Sequence, residues 1–114
     1  MQLLAKHGGT PGSLLVTDVV LAEAVWTLRA AYDQDKRAQS IAVRSLLDET
    51  AFAFEDREAV AEALAMFEWS NCGFSDCLIV AKHRRSGCEF TATFDRAMRR
   101  LPDVRVIRGM TDAL

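Results

Sequence analysis

The chain has 114 residues, of which 50% are hydrophobic and 26% charged, with a formal net charge of −2. This length fits a single domain. The hydrophobic fraction is high enough for a core and excludes intrinsic disorder, and the net charge excludes a uniformly basic nucleic-acid coat. No apolar run approaches the roughly 20 residues that span a bilayer, and the first residues lack the apolar stretch of a signal peptide. Cys72, Cys77 and Cys88 cannot all pair within one chain, which favours reduced thiols and a cytoplasmic protein.

Hydrophobic periodicity predicts short strands that alternate with helices. Capping side chains lie where two of the helices would begin, at Thr17 and Asp56, and a glycine lies where another would end, at Gly87. The predicted elements in chain order are a loop or tail at 1–13, a strand at 14–16, a helix from 17 or 18 to about 32, a helix from 33–35 to 48 or 49, a strand at 51–54, a helix from 56 to about 69, a helix at 74–86, a strand at 89–93, a short helix at 95–101 and a strand at 104–107. Such alternation predicts parallel pairing and an α/β fold, with residues 14–114 as one domain.

The first predicted helix is apolar on most of its sides. Leu21 and Val25 lie on one stripe, and Trp26 lies on a second stripe that also contains Glu23. Because helices of this kind are usually buried, we expect Glu23 in or near the interior. Trp26 and Trp69 are interpreted as core or interface residues and not as platforms for stacked bases.

Basic side chains are concentrated near the C-terminal end. Residues 82–108 contain eight basic residues against three acidic ones, and seven of the eight are arginines, whose planar fork fits phosphate oxygens. Two interpretations stay open: a solvated surface with cations at helix ends, or an edge that faces a phosphate chain. The candidate phosphate contacts are Arg84, Arg85, Arg96, Arg99 and Arg100.

Three acids stand out by position: Glu23 in its helix stripe, Asp76 in the first turn of the fourth helix, and Asp95 directly after a strand. In open parallel sheets, ligands bind at the carboxyl ends of the strands. Carboxylates that converge there repel one another unless a cation or protons intervene, and oxygen ligands suit Mg²⁺ or Mn²⁺. Structural roles stay open too, with Asp76 and Asp95 as helix caps and Glu23 paired with an arginine or turned to solvent.

Three stretches resemble the motifs of PIN-domain ribonucleases. Residues 16–29 (VTDVVLAEAVWTLR) resemble the second acidic motif, and look most like that of the toxin subunits of VapBC toxin–antitoxin pairs. Residues 73–81 (GFSDCLIVA) resemble the third motif, an aspartate that opens a helix. Residues 91–96 (TATFDR) resemble the threonine–aspartate motif at a strand end. The three occur in the family's order, over roughly residues 14–108.

The resemblance implies a three-layer α/β/α fold with a short parallel sheet. It also implies Mg²⁺- or Mn²⁺-dependent endonucleolytic cleavage of RNA, a cognate antitoxin protein that blocks the site, and a homodimer. The lack of a long apolar run, and not the resemblance, predicts no membrane association. Glu23, Asp76 and Asp95 would be the catalytic, metal-binding carboxylates, and Thr93 a supporting hydroxyl beside them. The arginine-rich stretch would then contact RNA.

One departure from the family pattern concerns the beginning of the chain. The family starts with a central strand that ends in a metal-binding aspartate, whereas residues 1–13 contain no acid. We therefore expect an N-terminally truncated domain without the first aspartate, whose neighbouring strands would expose unpaired backbone groups. Impaired folding, or rescue by another chain, would follow. The alternative function is a non-catalytic PIN-like module that binds an antitoxin-type protein partner.

Overall fold

The computed structural model describes residues 10–109. Residues 1–9 of the predicted tail and residues 110–114 of the predicted domain therefore lie outside the described residues. In chain order the elements are β1 Leu14–Val16, α1 Asp18–Ala30, α2 Lys36–Asp48, β2 Phe52–Phe54, α3 Arg57–Trp69, α4 Phe74–Arg85, β3 Thr91–Thr93, a 3₁₀-helix Arg96–Arg100, and β4 Val104–Val106. Among residues 10–109, no helix has both the length and the apolar character that crossing a bilayer requires.

Local capping explains where the helices begin and end. The side chains of Thr17, Asp35 and Asp56 accept hydrogen bonds from the backbone N–H three residues further on. Gly73 is the N-cap of α4. Beyond the C-terminal end of α4, Gly87 has a φ of 84°, a left-handed conformation that favours glycine. The caps predicted at Thr17, Asp56 and Gly87 are confirmed.

The four strands form two parallel pairs. β1 pairs with β2, with Leu14 opposite Phe52, and β3 pairs with β4, with Thr91 opposite Val104. The predicted α/β class and parallel pairing are confirmed, but the described residues divide the strands between two separate two-stranded sheets. Each strand is three residues long, so the helices supply most of the packing.

The hydrophobic core lies mainly between helices. Leu21 of α1 and Val80 of α4 are fully buried, and Val43 of α2 is 1% exposed. The rings of Phe67 and Phe74 meet edge to face, with centroids 6.0 Å apart, where α3 packs on α4. This packing fixes the first turn of α4, which carries Asp76.

Only one apolar stripe of α1 is buried. Leu21 and Val25 lie in the core, whereas Val19 is 67% and Trp26 61% exposed. Glu23 is also exposed, so the expectation of an interior Glu23 is wrong. The reason is that α1 packs on α2 and α4 through the Leu21 stripe, and no described element covers the other stripe.

Candidate active site

Asp76 is held at the start of α4. It lies three residues after Gly73, whose backbone N–H donates a hydrogen bond that lowers the pKa of the Asp76 carboxyl. A Cβ at position 73 would lie 4.0 Å from Asp76 Oδ2. This contact is the return half of a capping box, so Asp76 does serve the helix end.

Asp95 follows β3 and begins the 3₁₀-helix. Its Oδ1 accepts a hydrogen bond from Ala97 N at 2.8 Å, which is a capping contact. Thr93 Oγ1 accepts from the backbone N–H of Asp95 at 3.1 Å and donates to Met98 Sδ at 3.4 Å. Because Met98 is buried, the Thr93 hydroxyl ties the backbone at Asp95 to the core.

Asp76 and Asp95 lie close enough to influence each other electrostatically. Partial burial raises the pKa of Asp76, and the negative charge of Asp95 raises it further. The Cys72 thiol, whose Sγ lies 3.2 Å from Ala97 O, has its pKa raised by burial and by both of these carboxylates. The first turn of α4 and the turn after β3 therefore bring two negative side chains together.

These two carboxylates fit a magnesium-type cation. Mg²⁺ keeps several waters and is commonly bound by one or two carboxylates together with substrate phosphates. Cys72 is a poor further ligand, because its raised pKa favours the protonated thiol. Within residues 10–109, no group of three or more His, Cys, Asp or Glu side chains is placed to share an ion. The donor set therefore suits a hard cation better than zinc.

Glu23 is not grouped with this pair. It is exposed, and within the described part of the chain its carboxylate makes no hydrogen bond or ion pair. Its backbone carbonyl accepts a hydrogen bond from Thr27 Oγ1 at 2.8 Å. The preceding residue, Ala22, lines the cleft that Asp76 also lines. Position in sequence therefore identified two acids that the fold brings together and a third that stays in solvent.

The cleft beside Asp76 has a volume of about 520 Å³. One wall is a face of α1, and the rest of the cleft is lined by the start of α2, the loop between α3 and α4, and the first turn of α4. Trp26 and Arg29 line the α1 wall, and Asn71 lines the cleft from the loop between α3 and α4. Sequence reasoning missed this role of Trp26, which is not a core residue. The spacing of Trp26 and Arg29, three residues apart on α1, was the available signal.

The five arginines predicted as phosphate contacts divide into two groups. Arg84 donates to Asp103 at 3.1 Å, and Arg85 donates to Asp56 at 2.7 Å. The other three are exposed and form no ion pair with any described residue: Arg96, Arg99 and Arg100. They belong to the 3₁₀-helix that Asp95 caps, so these free cations lie near the carboxylate pair.

Comparison with known proteins identifies the family. The sequence profile of the PIN domain matches residues 2–104, which include every element from β1 to the start of β4. No curated protein and no solved structure gives a significant match. Members of the matching family are generally nucleases and typically use divalent metal ions. The chain belongs to the PIN domain family.

Proposed function

We propose that this protein is a divalent-metal-dependent endoribonuclease whose metal ion is held by Asp76 and Asp95. The observation that supports it is the position of Asp76, whose pKa is raised by burial and by the negative charge of Asp95. Asp76 is half-buried and Asp95 is exposed, and the repulsion between their like charges is relieved when a cation binds between them. Family membership supplies the nuclease chemistry, and Mg²⁺ or Mn²⁺ suits the oxygen donors.

The backbone around the pair orients both carboxylates. The Ala97 N–H engages Oδ1 of Asp95, which leaves Oδ2 for an ion, and the Gly73 N–H restrains Asp76 in the same way. A bound divalent cation would activate a water and neutralise charge at the phosphodiester. Thr93 acts as a positioning residue, because it fixes the backbone of Asp95.

The RNA chain would follow the 3₁₀-helix. Arg96, Arg99 and Arg100 are exposed cations without acidic partners among the described residues, so they are free to bind phosphates. Arg84 and Arg85 are proposed as weaker contacts, since each would first have to leave an acidic partner. Glu23 is proposed as an outer carboxylate that acts on the ion through water.

The wider biological role is also a proposal. The motif resemblance supports a cytoplasmic toxin of a VapBC-type pair, which an antitoxin protein inhibits and which forms a homodimer. Val19, Val20 and Ile79 support contact with protein partners, because each is a large apolar side chain that is 45% or more exposed.

Cleavage of a structured RNA in the presence of Mg²⁺ tests the enzymatic proposal. Asp76→Asn should slow cleavage by at least about 100-fold, because even a residue that only orients a metal ligand is worth about 10–100-fold. Glu89→Gln is the matched control, since Glu89 is exposed and makes no ion pair with the described residues. Equal cleavage by Asp76→Asn and the unmutated chain would overturn the assignment.

A non-catalytic module that binds an antitoxin-type protein is the second candidate. Its support is the grouping of only two carboxylates within residues 10–109. This candidate predicts no RNA cleavage and no change in Mn²⁺ binding when Asp95 is replaced by Asn. Metal binding that depends on Asp95 would exclude it.

A further inference from the structure

We propose that the cleft beside Asp76 contains a nucleotide subsite, in which one unpaired base of a single-stranded RNA stacks on the Trp26 indole. Arg29 contacts the phosphate that flanks this base. The inference deepens the proposed function and rests on it, because Asp76 lines the same cleft. It assigns to α1 a role in substrate binding that is separate from metal binding.

The Trp26 ring is exposed at the border of the cleft. Trp26 lines the cleft, yet 61% of it is exposed. Within the described residues, no aromatic ring or cation packs on it. An exposed aromatic face at the border of a cleft is what stacking of an unpaired base requires. Trp69 is 60% exposed but lies outside the cleft, so exposure alone does not carry the argument.

Arg29 provides a positive charge on the same face of α1 as the Trp26 ring. Arg29 is exposed, lies on the same wall, and forms no ion pair with any described residue. Two acids line the cleft: Asp76 accepts from the Gly73 N–H, and Asp35 Oδ1 accepts from Ala38 N at 2.8 Å, so neither is paired with Arg29. Lys36 is tied to the wall, because its Nζ donates to Ser70 O and lies 5.3 Å from the centroid of the Phe67 ring. Arg29 is therefore the cation that is free to meet a phosphate.

Asn71 adds an uncharged polar group to the lining of the cleft. Asn71 is exposed on the loop between α3 and α4, and its amide makes no hydrogen bond with the described residues. A free amide offers both donors and an acceptor to a base edge. The volume of about 520 Å³ lies in the usual range for ligand pockets of about 300–1,000 Å³. An aromatic face, a free guanidinium and a free amide together match a nucleotide.

Tryptophan fluorescence reports on this subsite directly. The chain has two tryptophans, so Trp69→Phe leaves Trp26 as the sole emitter. This variant would be titrated, without added metal, with a cleavage-resistant single-stranded 2′-O-methyl RNA oligonucleotide. We expect quenching of Trp26 emission as the base stacks. Absence of quenching at saturating oligonucleotide would overturn the proposal, and this readout needs no replacement of Trp26.

Matched variants test the two contacts separately. Trp26→Ala should weaken oligonucleotide binding by about tenfold or more, whereas Trp69→Ala should change it by less than about twofold. Arg29→Ala should reduce the slope of log affinity against log salt concentration by about 0.7, while Arg37→Ala, an exposed arginine outside the cleft, should leave it unchanged. Equal effects within each pair would contradict the subsite.

Two further results separate this inference from its rivals. Inorganic polyphosphate of the same total charge should bind without quenching Trp26, and equal quenching by polyphosphate would overturn base stacking. Metal-dependent RNA cleavage with no Trp26 effect would defeat the subsite and leave the nuclease proposal standing. Quenching and Trp26-dependent binding without cleavage would support the subsite and defeat the nuclease.

Discussion

Asp76 is placed where its ionised form is less favourable than in water. Burial and the charge of Asp95 both disfavour the carboxylate, and only the Gly73 N–H offsets them. A structural cap would gain from a freely ionised acid, because the positive end of the helix attracts negative charge. The conflict between Asp76 and Asp95 therefore makes sense if a cation normally lies between them.

Asp76→Asn should stabilise the metal-free protein at pH 7. A carboxyl whose folded pKa is raised above 3.8 binds more protons when folded, so stability falls as the pH rises through the interval between the two pKa values. Asparagine does not ionise, so the variant does not lose this stability. Because Asp76 is partly screened by solvent, we expect about 0.5 kcal/mol, or roughly 2–4 °C in Tm. Thermal melts should show the gain shrinking to nothing below pH 3.8.

A lower Tm for Asp76→Asn than for the unmutated chain at pH 7 would mean that the Gly73 contact outweighs the repulsion from Asp95. Asp76 would then act mainly as a helix cap and not as a metal ligand. Glu89→Gln serves as the control, since an exposed acid without partners among the described residues should leave Tm unchanged.

Sequence position predicted that Asp76 and Asp95 lie near each other, but it was wrong about the burial of Glu23. The first two lie at a helix start and a strand end, where local geometry fixes the backbone. Glu23 lies in the middle of α1, so its environment depends on which stripe the rest of the fold covers. That choice is made by long-range packing, which the periodicity of one helix does not encode.

At the scale of elements, helices were predictable and sheet organisation was not. The bounds of α1, α3 and α4 follow from Thr17, Asp56 and Gly87, which act within one turn of chain. Parallel pairing also followed from the alternation of strands and helices. The division into two strand pairs did not, because pairing joins residues that are distant in sequence, such as Leu14 and Phe52.

Gly87→Ala should lower stability by about 1 kcal/mol, because a side chain at φ 84° is strained. No atom lies within 4 Å of the added Cβ, so the loss would be a backbone effect and not a clash. Chemical denaturation measures it. Gly109→Ala, at a glycine with an equally open Cβ position and no positive φ, is the control and should be close to neutral. A loss that is equal in both variants would contradict the assignment of Gly87 as the C-terminal cap of α4.

At the scale of the whole molecule, large apolar side chains remain in solvent. Examples are Leu15 on β1 at 65% and Phe94 after β3 at 67% exposure. Leu15 belongs to one strand pair and Phe94 directly follows a strand of the other; each pair has two strands, and isolated two-stranded sheets are marginally stable in water. These features agree with the expectation that the domain associates with another chain.

Sedimentation velocity tests that expectation. We expect a dimer of this chain at micromolar concentration, with a monomer appearing on dilution, because burial of exposed apolar surface drives association. A monomer at all concentrations would contradict the homodimer proposal. It would leave an antitoxin-type protein as the proposed partner.

Calorimetric titration with Mn²⁺ tests the central claim most directly, because it measures ion binding without any assumption about the RNA. The unmutated chain should bind one ion, with an affinity that falls by about tenfold or more in both Asp76→Asn and Asp95→Asn and stays unchanged in Glu89→Gln. Binding that is equal in all four proteins, or no binding in any of them, would contradict a metal site at the Asp76–Asp95 pair.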